Sequence, residues 1–156
     1  MPKFEETPRS MAISMLDSVI NDGKLLSELT ATRKFLSLTP PDRARAQRLA
    51  LQTLRGVERA DRVLAKFLQK KPPPKVRNIL RLATVEICCG SQAHGVVNEA
   101  VNLVGREKKF SQFRGLVNAV LRKVAQKGPN HWANLRASRM PEWLRGPLSD
   151  AYGKDT

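Results

Sequence analysis

In the stretch KVRNILRLATVEICC, Val76, Ile79, Leu80, Ala83 and Ile87 recur at intervals of three and four residues, and no segment of the chain alternates apolar with polar residues over a strand's length. Side chains three and four apart share one face of a helix, whereas those two apart share one face of a strand, so this spacing predicts helices and no half-buried sheet. Thr7 is placed as an N-cap with Pro8 at the first helical position, followed by a stripe of Ala12, Leu16 and Val19 and a stop near Gly23. KLLSELTATRKFL predicts a second, less regular helix, ended by Thr39-Pro40-Pro41. From Asp42 to Gln69 the pattern is helical throughout, with Gly56 expected to divide it into two consecutive helices. Three prolines at 72–74 break it, and the helix around Leu80 stops at Gly90. His94–Lys108 and Phe113–Lys127 give two more helices, the second expected to end at Gly128-Pro129. Pro141 then opens a short helix carrying Trp143, Leu144 and Leu148. Helices of this length with short connections imply an all-α bundle, with no domain boundary before about residue 128.

A chain of 156 residues fits one domain and buries roughly 68 to 70% of its unfolded surface, so it needs no covalent staple. The only cysteines, Cys88 and Cys89, are adjacent, which suits neither a disulfide framework nor spaced zinc ligands, and His94 and His131 are isolated. No metal is expected. The chain opens MPKFEETPRS, with carboxylates where a signal peptide has cations, and no apolar run approaches 18 residues. The expectation is a cytoplasmic protein with no membrane partner.

The formal charge of +14 points to an anionic partner. It is concentrated in the middle: residues 41–85 carry 12 basic against 3 acidic side chains, while residues 1–40 carry 5 of each. On a helix at about 100° per residue, Arg45, Arg48, Arg55, Arg59, Arg62 and Lys66 fall within about 60° of one line. Ala46, Ala50, Val57, Leu64 and Leu68 fall opposite. Acidic residues are nearly absent from the basic stripe, so ion pairing one turn apart does not account for it, and phosphate contact does. Of the aromatic residues only Phe67 lies nearby, on the other side, so base stacking on single strands has no support in the spacing.

Enzymatic signatures are missing. There is no glycine-rich turn between a strand and a helix to hold a dinucleotide or adenosyl cofactor, and no phosphate-binding loop. Cys88 and Cys89 read as edge-of-core packing, and Glu86, close to the apolar face of its helix, reads as one half of an ion pair or as a helix-end hydrogen-bonding group.

Three motifs follow in order: Leu80-Arg81-x-Ala83-x-x-Glu86, Val97-Asn98-Glu99-Ala100-Val101 and Val117-Asn118-x-Val120-Leu121-Arg122. Together they resemble the signature of the NusB-type RNA-binding fold, and DRARAQRLALQTLRGVERAD, from Asp42, is similar to that family's middle helices. The likeness covers roughly residues 8–127 and implies a bundle of about six to seven helices. Glu86, Asn98, Glu99, Asn118 and Arg122 are its structural positions. Asparagine is a mediocre helix former, so its recurrence at the boundary of two apolar arcs calls for a hydrogen-bonding reason: each amide is expected to tie its helix to a neighbouring loop or helix end.

Two groups share that fold, the transcription antitermination factors and the N-terminal domain of the Fmu/Sun (RsmB-type) ribosomal RNA cytosine-C5 methyltransferases. The first group carries an arginine-rich N-terminal helix, where this chain has Arg9 and little else after Lys3. MPEWLRGPLSDAYG is similar to the segment that leads into the catalytic domain of the second. The resemblance therefore implies an RNA-binding domain at residues 1–127, with 128–156 as a linker and short helix cut where the enzyme would continue. Such a domain has no catalysis and no cofactor of its own. S-adenosylmethionine would belong to the catalytic domain in cis, and ribosomal RNA would be the partner. The alternatives are a complete antitermination factor acting with RNA and a ribosomal protein, and a protein-interaction bundle whose basic face binds an acidic protein.

Overall fold

The computed structural model describes residues 6–135, and among these every regular element is a helix. The short helix expected from Pro141 lies outside the described residues. α1 (Pro8–Leu16) begins in a reciprocal cap: the Ser10 amide donates to the Thr7 hydroxyl at 3.1 Å, and the Thr7 amide donates to Ser10 Oγ at 2.7 Å. A π-helical turn, Asp17–Asn21, carries the chain on to Gly23, whose φ of 70° lies where a side chain would be strained.

The second helix is broken in two, α2 (Leu26–Leu29) and α3 (Arg33–Leu36). Threonine hydroxyls explain the break. Thr30 and Thr32 donate back to the carbonyls of Ser27 and Leu29, and Thr32 then caps the next turn by accepting from the Phe35 amide.

α4 (Pro40–Ala65) runs 26 residues, about 39 Å, without interruption at Gly56, and stops short of Gln69. Gly56 is there for contact and not for a break: a Cβ at that position would come within 2.9 Å of Trp132 Cη2. The absence of a side chain lets the indole of a distant helix lie against the α4 backbone.

α5 (Pro74–Cys88) is buried on almost every side and packs against α1, α4, α6 (Ala93–Gly105) and α7 (Arg114–Asn134). Val76, Leu80 and Val85 are almost fully enclosed, and so is the amide of Asn78. The helix read as amphipathic is the central one of the bundle.

A 3₁₀ segment, Lys108–Phe113, leads into α7, which does not end at Gly128-Pro129 but continues through both to Asn134. Pro129 removes one intrahelical donor, and an interior proline costs about 3 kcal/mol. The extra turn gains a counterweight, because it lays Trp132 against Gly56 and Arg59 and brings the His131 ring to 6.1 Å from that of Phe67. The boundary expected between residues 127 and 128 therefore falls inside a helix.

Candidate nucleic-acid interface

The outer face of α4 carries Arg48, Arg55 and Arg62, with Lys66 just past its last residue, all exposed. Arg48, Arg55 and Lys66 have no charged partner among the described residues. Arg62 differs, donating to Glu58 one turn away at 3.1 Å, a pairing the wheel had discounted. Such an exposed pair is worth about 0.3 to 0.5 kcal/mol and yields readily to a phosphate. Arg45 is exposed as well but stands beside a cleft of about 390 Å³ between α1, α4 and α6, where Asp42 and Glu99 share the lining with Arg9 and Arg106.

Arg59 leaves the line. Its guanidinium lies 4.3 Å from the ring centroid of Trp132 and donates to the Trp132 carbonyl, and its buried Nε has no hydrogen-bond partner among the described residues. Cation–π stacking with a simultaneous hydrogen bond makes it a clamp between α4 and α7. The expectation that Arg59 belongs to one exposed phosphate-binding row is corrected on this point.

The motif positions divide in the same way. Glu86 is buried and accepts two bonds of 2.9 Å from the Arg9 guanidinium, and Glu99 meets the remaining nitrogen of the same group. Arg9 thus joins α1 to both α5 and α6, and hydrogen bonding to Glu86 raises its pKa further above its ordinary value. Arg122 is exposed with no described partner. Among the described residues neither repeated asparagine ties its helix to another element. Asn98 is exposed and its side chain meets only His94 of its own helix at 3.4 Å, while the half-buried Asn118 has a side-chain amide with no described partner. Nothing among the described residues explains their recurrence.

The tying amide is Asn78, which sequence reasoning passed over. It donates to Asp17 at 2.7 Å and accepts from Arg81 at 2.9 Å, and Arg81 in turn grips Asp61 through two bonds of 2.7 and 2.9 Å. This relay links the π-helical turn, α5 and α4. Burial raises the pKa of Asp17, partly opposed by the Asn78 hydrogen bond. The available signal was an asparagine adjacent to Ile79 and Leu80 and one turn before Arg81, where burial without a partner is costly.

A second basic region is also absent from the helical wheel. Lys70 and Lys71, in the loop between α4 and α5, share an apolar groove with Lys123 of α7. By contrast, no group of three or more His, Cys, Asp or Glu side chains among the described residues is placed to hold a metal ion. No helix among them is long and apolar enough to cross a membrane.

An all-α domain with a row of exposed cations along one long helix and a largely buried Arg9–Glu86 pair joining α1 to the central helix defines a class of basic helical domain. The sequence model of the NusB family matches residues 6–126, and the chain belongs to that family. It is 33% identical over 140 residues to ribosomal RNA small subunit methyltransferase B of Thermus thermophilus, covering 88% of this chain and 34% of that protein. The protein of the same name from Pasteurella multocida is 28% identical over 155 residues, covering 92% and 33%. The chain thus spans about a third of the length of these curated relatives. The solved structure of T. maritima NusB superimposes with a TM-score of 0.62 at 19% identity, covering 85% of this chain and all of that one, and establishes the shared all-α fold.

Proposed function

We propose that this chain is an RNA-binding domain, the N-terminal substrate-recognition part of a ribosomal RNA cytosine-C5 methyltransferase. The observation that carries the reading is the exposed row of Arg48 and Arg55 on α4 and Lys66 at its end, whose like charges repel one another and have no carboxylate partner among the described residues. A polyanion satisfies all three at once. The methyltransferase assignment draws support from the two relatives, which align with this chain over one third of their length. In that arrangement the chain positions ribosomal RNA, and residues beyond α7 connect it to a catalytic domain in cis. That domain would bind S-adenosylmethionine, the methyl donor. The described residues fit no such group, since they contain no strand-to-glycine-turn-to-helix unit to cradle it, and no chemical step is placed on them. A cytoplasmic location accompanies this reading.

The test is the salt dependence of binding to a small-subunit ribosomal RNA fragment. Affinity should fall steeply with salt, and Arg48→Gln or Arg55→Gln should each lower the slope of log affinity against log salt by about 0.7 to 0.9. Unchanged slopes in both variants would remove α4 from the interface. An in-frame adenosylmethionine-binding domain downstream of Thr156 supports the methyltransferase assignment, and a stop codon there supports an antitermination factor.

A further inference from the structure

The α4–α5 loop and the start of α7 enclose a groove of about 520 Å³, within the size range of roughly 300 to 1,000 Å³ typical of small-molecule sites. Phe67, Phe113, Leu116 and Val120 form its apolar surface, and Leu116 remains 37% exposed. Lys70 and Lys71 stand on one side and Lys123 on the other; no carboxylate lines it among the described residues. We propose that this groove accepts an unstacked nucleobase of single-stranded RNA, its lysines holding the flanking phosphates. The proposal rests on the RNA-binding reading and adds to it a site for bases, where α4 offers only charge.

Three observations favour a nucleic acid over an acidic peptide. First, the groove is itself basic: Lys70, Lys71 and Lys123 line it, and among the described residues no carboxylate does, so it suits the phosphates that flank a base. Second, the loop wall includes Pro72 and Pro73, which have no amide hydrogen, so an extended peptide finds no ladder of backbone donors there. Flat bases need only an apolar surface to lie on, and the half-buried Phe67 and Phe113 with the exposed Leu116 supply one. Third, Gln69 in the same lining offers an amide able to meet a base edge. Sequence spacing lent base stacking no support, because the one nearby aromatic, Phe67, lay on the side away from the cations; the fold sets Phe67 and Phe113, from a different element, in the lining of one groove that has its own lysines.

The experiment compares a single-stranded ribo-octamer with an abasic octamer of the same phosphate number, both titrated against the full chain. The base-bearing strand should bind about tenfold more tightly, in line with stacking of one base. Leu116→Glu should abolish that advantage, and Lys123→Glu should weaken both strands; both positions are exposed, so melting temperatures should hold. Equal affinity of the two octamers, with the α4 salt slope intact, would overturn the groove while leaving the RNA-binding reading in place. A tenfold base advantage that survives Arg48→Gln and Arg55→Gln with unchanged slopes would do the reverse. Displacement of the octamer by a Glu/Leu peptide that binds more tightly, or self-association abolished by Leu116→Glu, would assign the groove to a protein partner and sink the proposal.

Discussion

The guanidinium of Arg59 stacks on the indole of Trp132, 4.3 Å from the ring centroid, across 73 residues of sequence. That contact separates Arg59 from Arg55, which lies one turn away on α4 and faces solvent. Arg59→Gln should lower stability by about 1 to 2 kcal/mol, from the lost cation–π contact and a weakened hydrogen bond to the Trp132 carbonyl. Arg55→Gln should stay within about 0.5 kcal/mol of the parent. Thermal unfolding of the two variants decides the matter, and equal melting temperatures would dissolve the distinction.

Arg9 and Glu86 make the tightest link between α1 and the central helix. Arg9→Ala leaves a buried carboxylate with its principal donor gone, and the cost of breaking such a pair is about 3 to 5 kcal/mol. Arg9→Ala combined with Glu86→Leu should recover much of the loss, since no charge is then stranded. Chemical denaturation of the two variants measures both. A double variant no more stable than Arg9→Ala alone would show that the pair is not where the energy resides.

The neighbouring thiols should react very differently. Cys89 is exposed, whereas Cys88 is half-buried and its pKa is pushed up to about 11 by burial, with the adjacent Cys89 a smaller contribution in the same direction. Near pH 8 Cys88 is almost entirely thiol. Iodoacetamide should therefore label one cysteine per native chain quickly, and peptide mapping should find it at Cys89. Labelling of Cys88 should accelerate as pH approaches 11 or once the chain is unfolded. Equal rates at pH 8 would contradict the burial.

Asp17 provides a pH dependence of defined sign. Because its folded pKa lies above the unfolded value of 3.8, the native state binds the proton more tightly between those two values. Stability attributable to Asp17 is therefore highest below 3.8, falls as pH rises through the folded pKa, and stays reduced above it. Asp17→Asn keeps an oxygen for the Asn78 amide and removes the buried charge. It should raise the melting temperature at pH 7 relative to the parent and flatten this part of the profile. A drop at pH 7 would mean that attraction to Lys75 outweighs desolvation at this carboxylate.

Much of the architecture was legible without coordinates. The three-and-four spacing of Val76, Ile79, Leu80, Ala83 and Ile87 required a helix; Thr7 and Pro8 marked a start; and the motifs from Leu80 to Arg122 placed the chain in its family. The concentration of cations between residues 41 and 85 is equally a property of the sequence. These features are local or additive, so a period, a cap or a sum of charges expresses them completely. What a helical wheel records is the direction in which a side chain leaves its own axis, and it carries no information about what stands there. Arg55 and Arg59 leave α4 on nearly the same side, yet only the packing of α7 against Gly56 decides that Arg59 meets an indole and Arg55 meets water. The same limit explains why Pro129, a stop signal by local rules, sits inside a helix held by Trp132, and why the structural asparagine is Asn78 and not the repeated pair. The lysine-rimmed groove likewise exists only where an interhelical loop and a distant helix are brought together, because stacking surfaces and hydrogen-bond partners are set by tertiary packing and not by spacing along one element.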